Sequence, residues 1–186
     1  MRHNAEQGSS LIELMVAMLI LAIGLGGVTT LLTTAIASNN RSSRDTTATL
    51  LAQMVVEQIS AQHVYNYGLI GVTDCAGNAW SLNPTPGAAG TGNGANLNAS
   101  ENIDFTQAYS TVTTNYAMQY VDCSTAGGIQ TTYDVRWNVM AVSTNTTSVM
   151  ITAAARPMAS SVSRLGGLFY AIPVNLRSIG APGAMQ

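Results

Sequence analysis

From Leu11 to Ala37 the chain is a nearly unbroken run of apolar, glycine and threonine residues. The one charge inside it, Glu13, stands near its start, and the next charged residue is Arg41. About 25 residues rising 1.5 Å each extend about 38 Å, enough to cross a bilayer with tilt. The stretch is therefore expected to be a transmembrane helix. A carboxylate held in hydrocarbon costs about 3 kcal/mol on insertion scales, so Glu13 calls for a function and a partner. The nearest partner is an amine. A cut after Gly8 would make Ser9 a new, positively charged N-terminus, four residues before Glu13 and on the same helix face.

The residues before this run, Met1 to Gly8, are short and polar, with Arg2, His3 and Glu6. They read as a processed leader rather than a folded element. A rival reading lies in Ala35-Ile36-Ala37, an A-x-A pattern that would make residues 1–37 an ordinary secretory signal. Against it stand the length of the apolar run, Glu13 within it, and an n-region whose only basic residue is Arg2. Arg41 and Arg44 follow the helix and outnumber Arg2, against the positive-inside tendency, so loop charge alone does not set the orientation.

Gly8-Ser9-Ser10-Leu11-Ile12-Glu13-Leu14-Met15-Val16 resembles the type III signal sequence of type IV pilins and pseudopilins, a short polar leader ending in Gly with Glu at the fifth mature position. The resemblance covers about the first thirty residues. It implies cleavage between Gly8 and Ser9 by a prepilin peptidase, N-methylation of Ser9, and use of Glu13 to neutralise the N-terminus of a neighbouring subunit during assembly. It also orients the helix and implies an α+β fold: a long N-terminal helix, transmembrane in its first half and amphipathic in its second, packed on a small antiparallel β-sheet. Ser9 departs from the family's usual Phe or Met. The implied layout is a leader at 1–8, the transmembrane half of the helix at 9–37, its amphipathic half at 38–64, and a periplasmic or extracellular head at 65–186. The implied partners are other pilin or minor pilin subunits, the prepilin peptidase, an inner-membrane assembly platform and the membrane. The implied location is the bacterial inner membrane as a single-pass protein, then the pilus or cell surface.

Gly24, Gly26 and Gly27 interrupt the apolar run. Each glycine weakens a helix by about 1 kcal/mol relative to alanine, so they mark either a place of bending or local melting, or a face for close helix packing. In filaments of the resembled family this region unwinds on assembly. Past a polar stretch with Arg41, Arg44 and Asp45, the residues Leu51, Val55 and Ile59 recur at i and i+4. That spacing predicts a helix to about His63 that lays an apolar stripe on a sheet.

Residues 66–104 read as loop. Gly87, Gly90, Gly92 and Gly94 lie in a Gly-rich segment, 83–100, expected to be a mobile surface loop because it has little side chain to bury. It lacks the spacing and the lysine of a phosphate loop. Beyond Tyr109 the period becomes two. Val112, Thr114, Tyr116, Met118 and Tyr120 predict a strand to Cys123, and Tyr133, Val135, Trp137 and Val139 predict another. Val149, Ile151 and Ala153 predict its hairpin partner, reaching about Arg156, with turns at Ala126-Gly127-Gly128 and at residues 144–147. The Tyr-x-Val-x-Trp-x-Val strand is similar to one in PilV-type minor pilins. Phe169 to Leu176 would add an edge strand containing Pro173, and the tail from Gly180 reads as unstructured.

The composition narrows the chemistry. Charged residues make up 9% of the chain, lysine is absent, and the formal net charge is −2, so nothing draws the chain generally to nucleic acid. Cys75 and Cys123 are the only cysteines, and in an exported domain such a pair reads as a disulfide. Closing that loop stabilises the fold by about 4 kcal/mol in the chain-entropy model. His63 lies near a helix end without a nucleophile motif. Asp74, Glu101, Asp104, Asp122 and Asp134 are scattered, so no carboxylate pair, metal cage or cofactor is proposed from spacing. A disulfide would bring Asp74 and Asp122 near each other as solvated loop acids. Arg136, Arg156, Arg164 and Arg177 would form a patch only if the last strands are adjacent. The expectation is a structural, non-enzymatic minor pilin-like subunit. The alternatives are a pseudopilin of type II secretion and a membrane-anchored exported adhesin or binding protein.

Overall fold

The structure is a computed structural model that describes residues 11–62, 68–123, 130–142, 148–158 and 173–180. It divides into two units, Met1–Ser43 and Arg44–Gln186. One helix, α1 (Leu11–Ser60), contributes to both. Within the first unit its large apolar side chains, from Leu11 to Ile36, are all exposed. Within the second, Ala48, Leu51, Ala52, Val55 and Ile59 are buried, following the three- and four-residue spacing of one helix face.

That face packs on an antiparallel sheet. In chain order the strands are β1 (Ile70–Thr73), β2 (Ala79–Leu82), β3 (Asn93–Gly94), β4 (Ala117–Asp122), β5 (Thr131–Ala141), β6 (Val149–Pro157) and β7 (Val174–Gly180). β1 and β2 form a separate hairpin. β5 is the centre of the main sheet: β6 runs along one edge, followed by β7, while β4 and the short β3 share the other edge end to end. Tyr133, Val135, Trp137 and Val139 alternate on the helix-facing side of β5 and are fully buried with Met118, Ile151, Ala153 and Ala155. Trp137 and Val135 lie opposite Ala153 and Ala155, so the bulky residues of one strand are set against small ones on the next. The α+β arrangement of a long N-terminal helix on antiparallel strands is consistent with the type IV pilin fold.

Several expectations need correction. Residues 66–104 are not simply loop, since they contain β1, β2 and β3. The Gly-rich segment is packed rather than a loose surface loop: Pro84 and Ala95 are buried, and the backbone of Gly87 bonds to β5 through Val139 and Ala141. The lack of side chains that argued for looseness is what permits this approach. A Cβ at Gly94, which has a φ of +117°, would collide with the Trp137 carbonyl and the Tyr116 ring. The strand expected from Val112 begins only at Ala117, because Tyr109–Thr111 forms a 3₁₀ turn and Asn115 takes a left-handed φ of 66°. Its alternation is as expected, with Tyr116 and Met118 buried on one face. The last strand starts after Pro173 and runs to Gly180, four residues beyond the expected end, as proline cannot donate to a ladder. The expected turns at 126–128 and 144–147 lie outside the described residues.

The second face of the sheet is covered as well. Ala95 and Ile103 pack with Ala154 of β6, and Leu97, Phe105 and Val112 lie against them. The segment 95–112 is therefore a strap, and the sheet sits between it and the helix.

Candidate functional site

The N-terminal site rests on the first turn of α1. Gly8 and Ser9 lie outside the described residues. Glu13 is in the first helical turn, between the exposed apolar residues Ile12 and Leu14. A carboxylate there also faces the positive end of the helix dipole. Gly24, Gly26 and Gly27 are all helical, and a Cβ built on any of them meets nothing within 4 Å. Just beyond, Thr29 donates to the Gly26 carbonyl at 2.9 Å, Thr30 to Gly27 at 2.8 Å, and Thr33 and Thr34 both to Thr30 at 2.9 Å. These hydroxyls therefore satisfy themselves within the helix, which suits a segment that meets hydrocarbon rather than water. By length and composition α1 is able to cross a membrane.

In the head, Cys75 and Cys123 form a disulfide with a Cα–Cα distance of 6.1 Å. It ties the turn between β1 and β2 to the end of β4. Asp74, next to it, is not a solvated loop acid but is buried. Its Oδ1 accepts from the amides of Ala76 (3.0 Å) and Asn78 (2.8 Å). Oδ2 accepts from Asn78 Nδ2 (2.9 Å), Trp80 Nε1 (3.4 Å) and the Val121 amide (3.2 Å). Burial pushes its pKa up, but the hydrogen bonds from Asn78, Val121 and Trp80 outweigh that and hold it at about 2.

The arginines do not form an open patch. Arg136 is 1% exposed and Asp134 3%. They meet in a bidentate pair, with Nε to Oδ1 and Nη2 to Oδ2 both at 2.8 Å. Nη1 of Arg136 donates to the Gln107 carbonyl of the strap at 2.7 Å. The Phe105 ring meets two guanidinium groups, with its centroid 5.0 Å from Arg136 and 4.4 Å from Arg156, and Arg156 also reaches Asp134 at 3.3 Å. Arg177 pairs with Glu101 at 2.9 Å. Each described arginine of the expected patch is thus engaged within the head, and Arg164 lies outside the described residues, as does His63. The signal for the buried pair was present in the alternation of β5, which puts Asp134, Arg136 and Asn138 on the face opposite Trp137. Nothing in the spacing showed that a strap covers that face. Among the described residues, no group of three or more His, Cys, Asp or Glu side chains is placed to hold a metal ion.

Residues 3–29 match the family model described as the prokaryotic N-terminal methylation motif. No curated protein and no solved structure matches the chain. The match spans residues ahead of α1 and the first part of that helix, with Glu13 and the three glycines inside it. Proteins built on this motif in the pilin class are structural rather than enzymatic. A methylation motif at the head of a membrane-length helix, on a chain whose second unit has a sheet-packed helix, supports a type IV pilin-like or pseudopilin subunit.

Proposed function

We propose that this chain is a minor pilin-like subunit of a bacterial type IV filament, cut between Gly8 and Ser9 by a prepilin peptidase and assembled through α1. The observation that carries this reading is Glu13, an acid in the first turn of an apolar, exposed helix within a methylation motif. The helix stores the subunit in the inner membrane with the head on the periplasmic side, and assembly packs the same helix among those of other subunits. There the Glu13 carboxylate meets the methylated Ser9 amine of a neighbour. In a medium of low dielectric an unmatched charge is heavily penalised, so the pairing selects subunits in correct register. The expected partners are other pilins, the peptidase and the inner-membrane assembly platform. Gly24, Gly26 and Gly27 give the helix a weak point where it can unwind as it packs.

A pseudopilin of type II secretion has the same chemistry and differs in its machine. An exported adhesin anchored by α1 needs neither the peptidase nor Glu13. Intact and N-terminal peptide mass spectrometry, in cells with and without prepilin peptidase, separates the processed classes from the anchor. The proposal requires a chain beginning at Ser9 only when the peptidase is present. A chain beginning at Ser38 or retaining Met1 in both strains would overturn it.

A further inference from the structure

Two segments distant in sequence carry the disulfide, and the Asp74 side chain hydrogen-bonds both. Cys75 sits in the turn Asp74–Asn78, and Cys123 lies two residues beyond Val121 of β4. Through Oδ1, Asp74 fixes the turn by the amides of Ala76 and Asn78. Through Oδ2 it holds Asn78 and Trp80 on the hairpin side and the Val121 amide on the β4 side. Five donors converge on two oxygens, and the amides of Ala76, Asn78 and Val121 are backbone groups, so the network fixes main-chain positions in both segments. Both cysteines are exposed, and Asp74 is buried. The sulfurs are thus open to exchange with a reagent in solution while the residue that aligns them is shielded.

We propose that Asp74 is a positioning residue for disulfide formation: its carboxylate holds the Cys75 turn against β4 in the dithiol form, so that the two thiols are presented to each other before they are joined. The oxidant is a disulfide, either of a protein oxidoreductase or of glutathione. One cysteine thiolate attacks the oxidant's S–S bond, releasing one of its sulfurs as a thiol and leaving a mixed disulfide. The second thiolate then attacks the cysteine sulfur of that mixed disulfide, forming Cys75–Cys123 and releasing the other thiol. The chain loses two electrons and two protons, and the oxidant gains them. Asp74 takes no part in the bond changes. It restricts the dithiol state, and because the oxidised state is already restrained by its covalent bond, removing Asp74 loosens the reduced form more than the oxidised one. The hairpin keeps a second, independent attachment through Asn83, whose amide donates to Asn115 and whose carbonyl accepts from Trp137 Nε1. Loss of Asp74 therefore loosens the cysteine end while the other end stays in place.

The test is the equilibrium of the full-length chain in detergent micelles with a glutathione redox buffer, read by thiol alkylation and mass spectrometry. Asp74→Asn places an amide where only acceptors fit. It should lower the effective concentration of the Cys75–Cys123 pair about tenfold, equivalent to about 30 mV. Val55→Ala, which opens the same core from the helix side, weakens oxidised and reduced forms alike and should leave that value within about twofold. An unchanged value in Asp74→Asn, or an equal fall in Val55→Ala, would overturn the proposal. The wild-type dithiol form gives a reading that needs no variant. Hydrogen exchange should find the Val121 amide still protected after reduction, and loss of that protection on reduction alone would show that the disulfide holds Asp74 in place rather than the reverse.

Discussion

Asp134 and Arg136, two residues apart on β5, close a bidentate ion pair on the sheet face turned away from the helix, and the strap 95–112 shuts it from water. Arg136 then bonds onward to the strap through the Gln107 carbonyl. The pair therefore joins layers rather than decorating a surface.

Breaking it leaves the buried Asp134 carboxylate with only the longer contact from Arg156, at 3.3 Å. Arg136→Ala is expected to destabilise the head by about 3–5 kcal/mol, measured by urea unfolding. Arg177→Ala, which removes a largely exposed pair with Glu101, is expected to cost less than about 1 kcal/mol. Equal effects from the two would contradict the burial assigned to Asp134 and Arg136.

Gly94 makes the corrected account of the Gly-rich segment testable. Its left-handed φ and its contact with the Trp137 carbonyl and Tyr116 leave no place for a methyl group. Gly94→Ala is expected to lower stability by more than about 1 kcal/mol in thermal unfolding. Gly90→Ala, also at positive φ but in open space, carries only the conformational part of that cost. A neutral Gly94→Ala would restore the reading of a loose surface loop.

Acid should weaken the head through Asp74. Its pKa in the folded chain is about 2, against an ordinary value of 3.8. A depressed carboxylate pKa contributes stability that is present in full above the unfolded value and is lost as pH falls towards the folded one, here from about 4 to about 2. The loss is on the order of 1–2 kcal/mol. Neighbouring Asp122 and Tyr120 share this corner of the head. Thermal unfolding of wild type and Asp74→Asn across that window tests the assignment. The wild-type midpoint should fall more steeply with acid, and parallel curves would contradict it.

The sequence made the architecture legible where pattern maps directly onto contact. The spacing of Leu51, Val55 and Ile59 marked the packed face of α1, and the alternation of Tyr133, Val135, Trp137 and Val139 marked the buried face of β5. The packing of the Gly-rich segment was not legible for a physical reason. Residues 83–100 are held by backbone hydrogen bonds and by glycines that admit neighbouring main chain, and these leave no hydrophobic period to read. Asp74 was misread on similar grounds: four of its five donors lie in its own turn and in Trp80 a few residues on, but its burial is set by β4, more than forty residues away. At the N-terminal site the acid, the glycines and the apolar run are sequence properties from the outset, and the geometry adds the threonine hydroxyls that close on the helix backbone.

In the proposed function Glu13 serves assembly rather than anchoring. The most direct test compares wild type and Glu13→Ala in cells, measuring the chain by immunoblot in the membrane fraction and in sheared surface filaments. Equal or greater amounts of the variant are expected in the membrane, since a charge has been removed from hydrocarbon, together with its loss from the filaments. Normal recovery of Glu13→Ala in the filament fraction would contradict it.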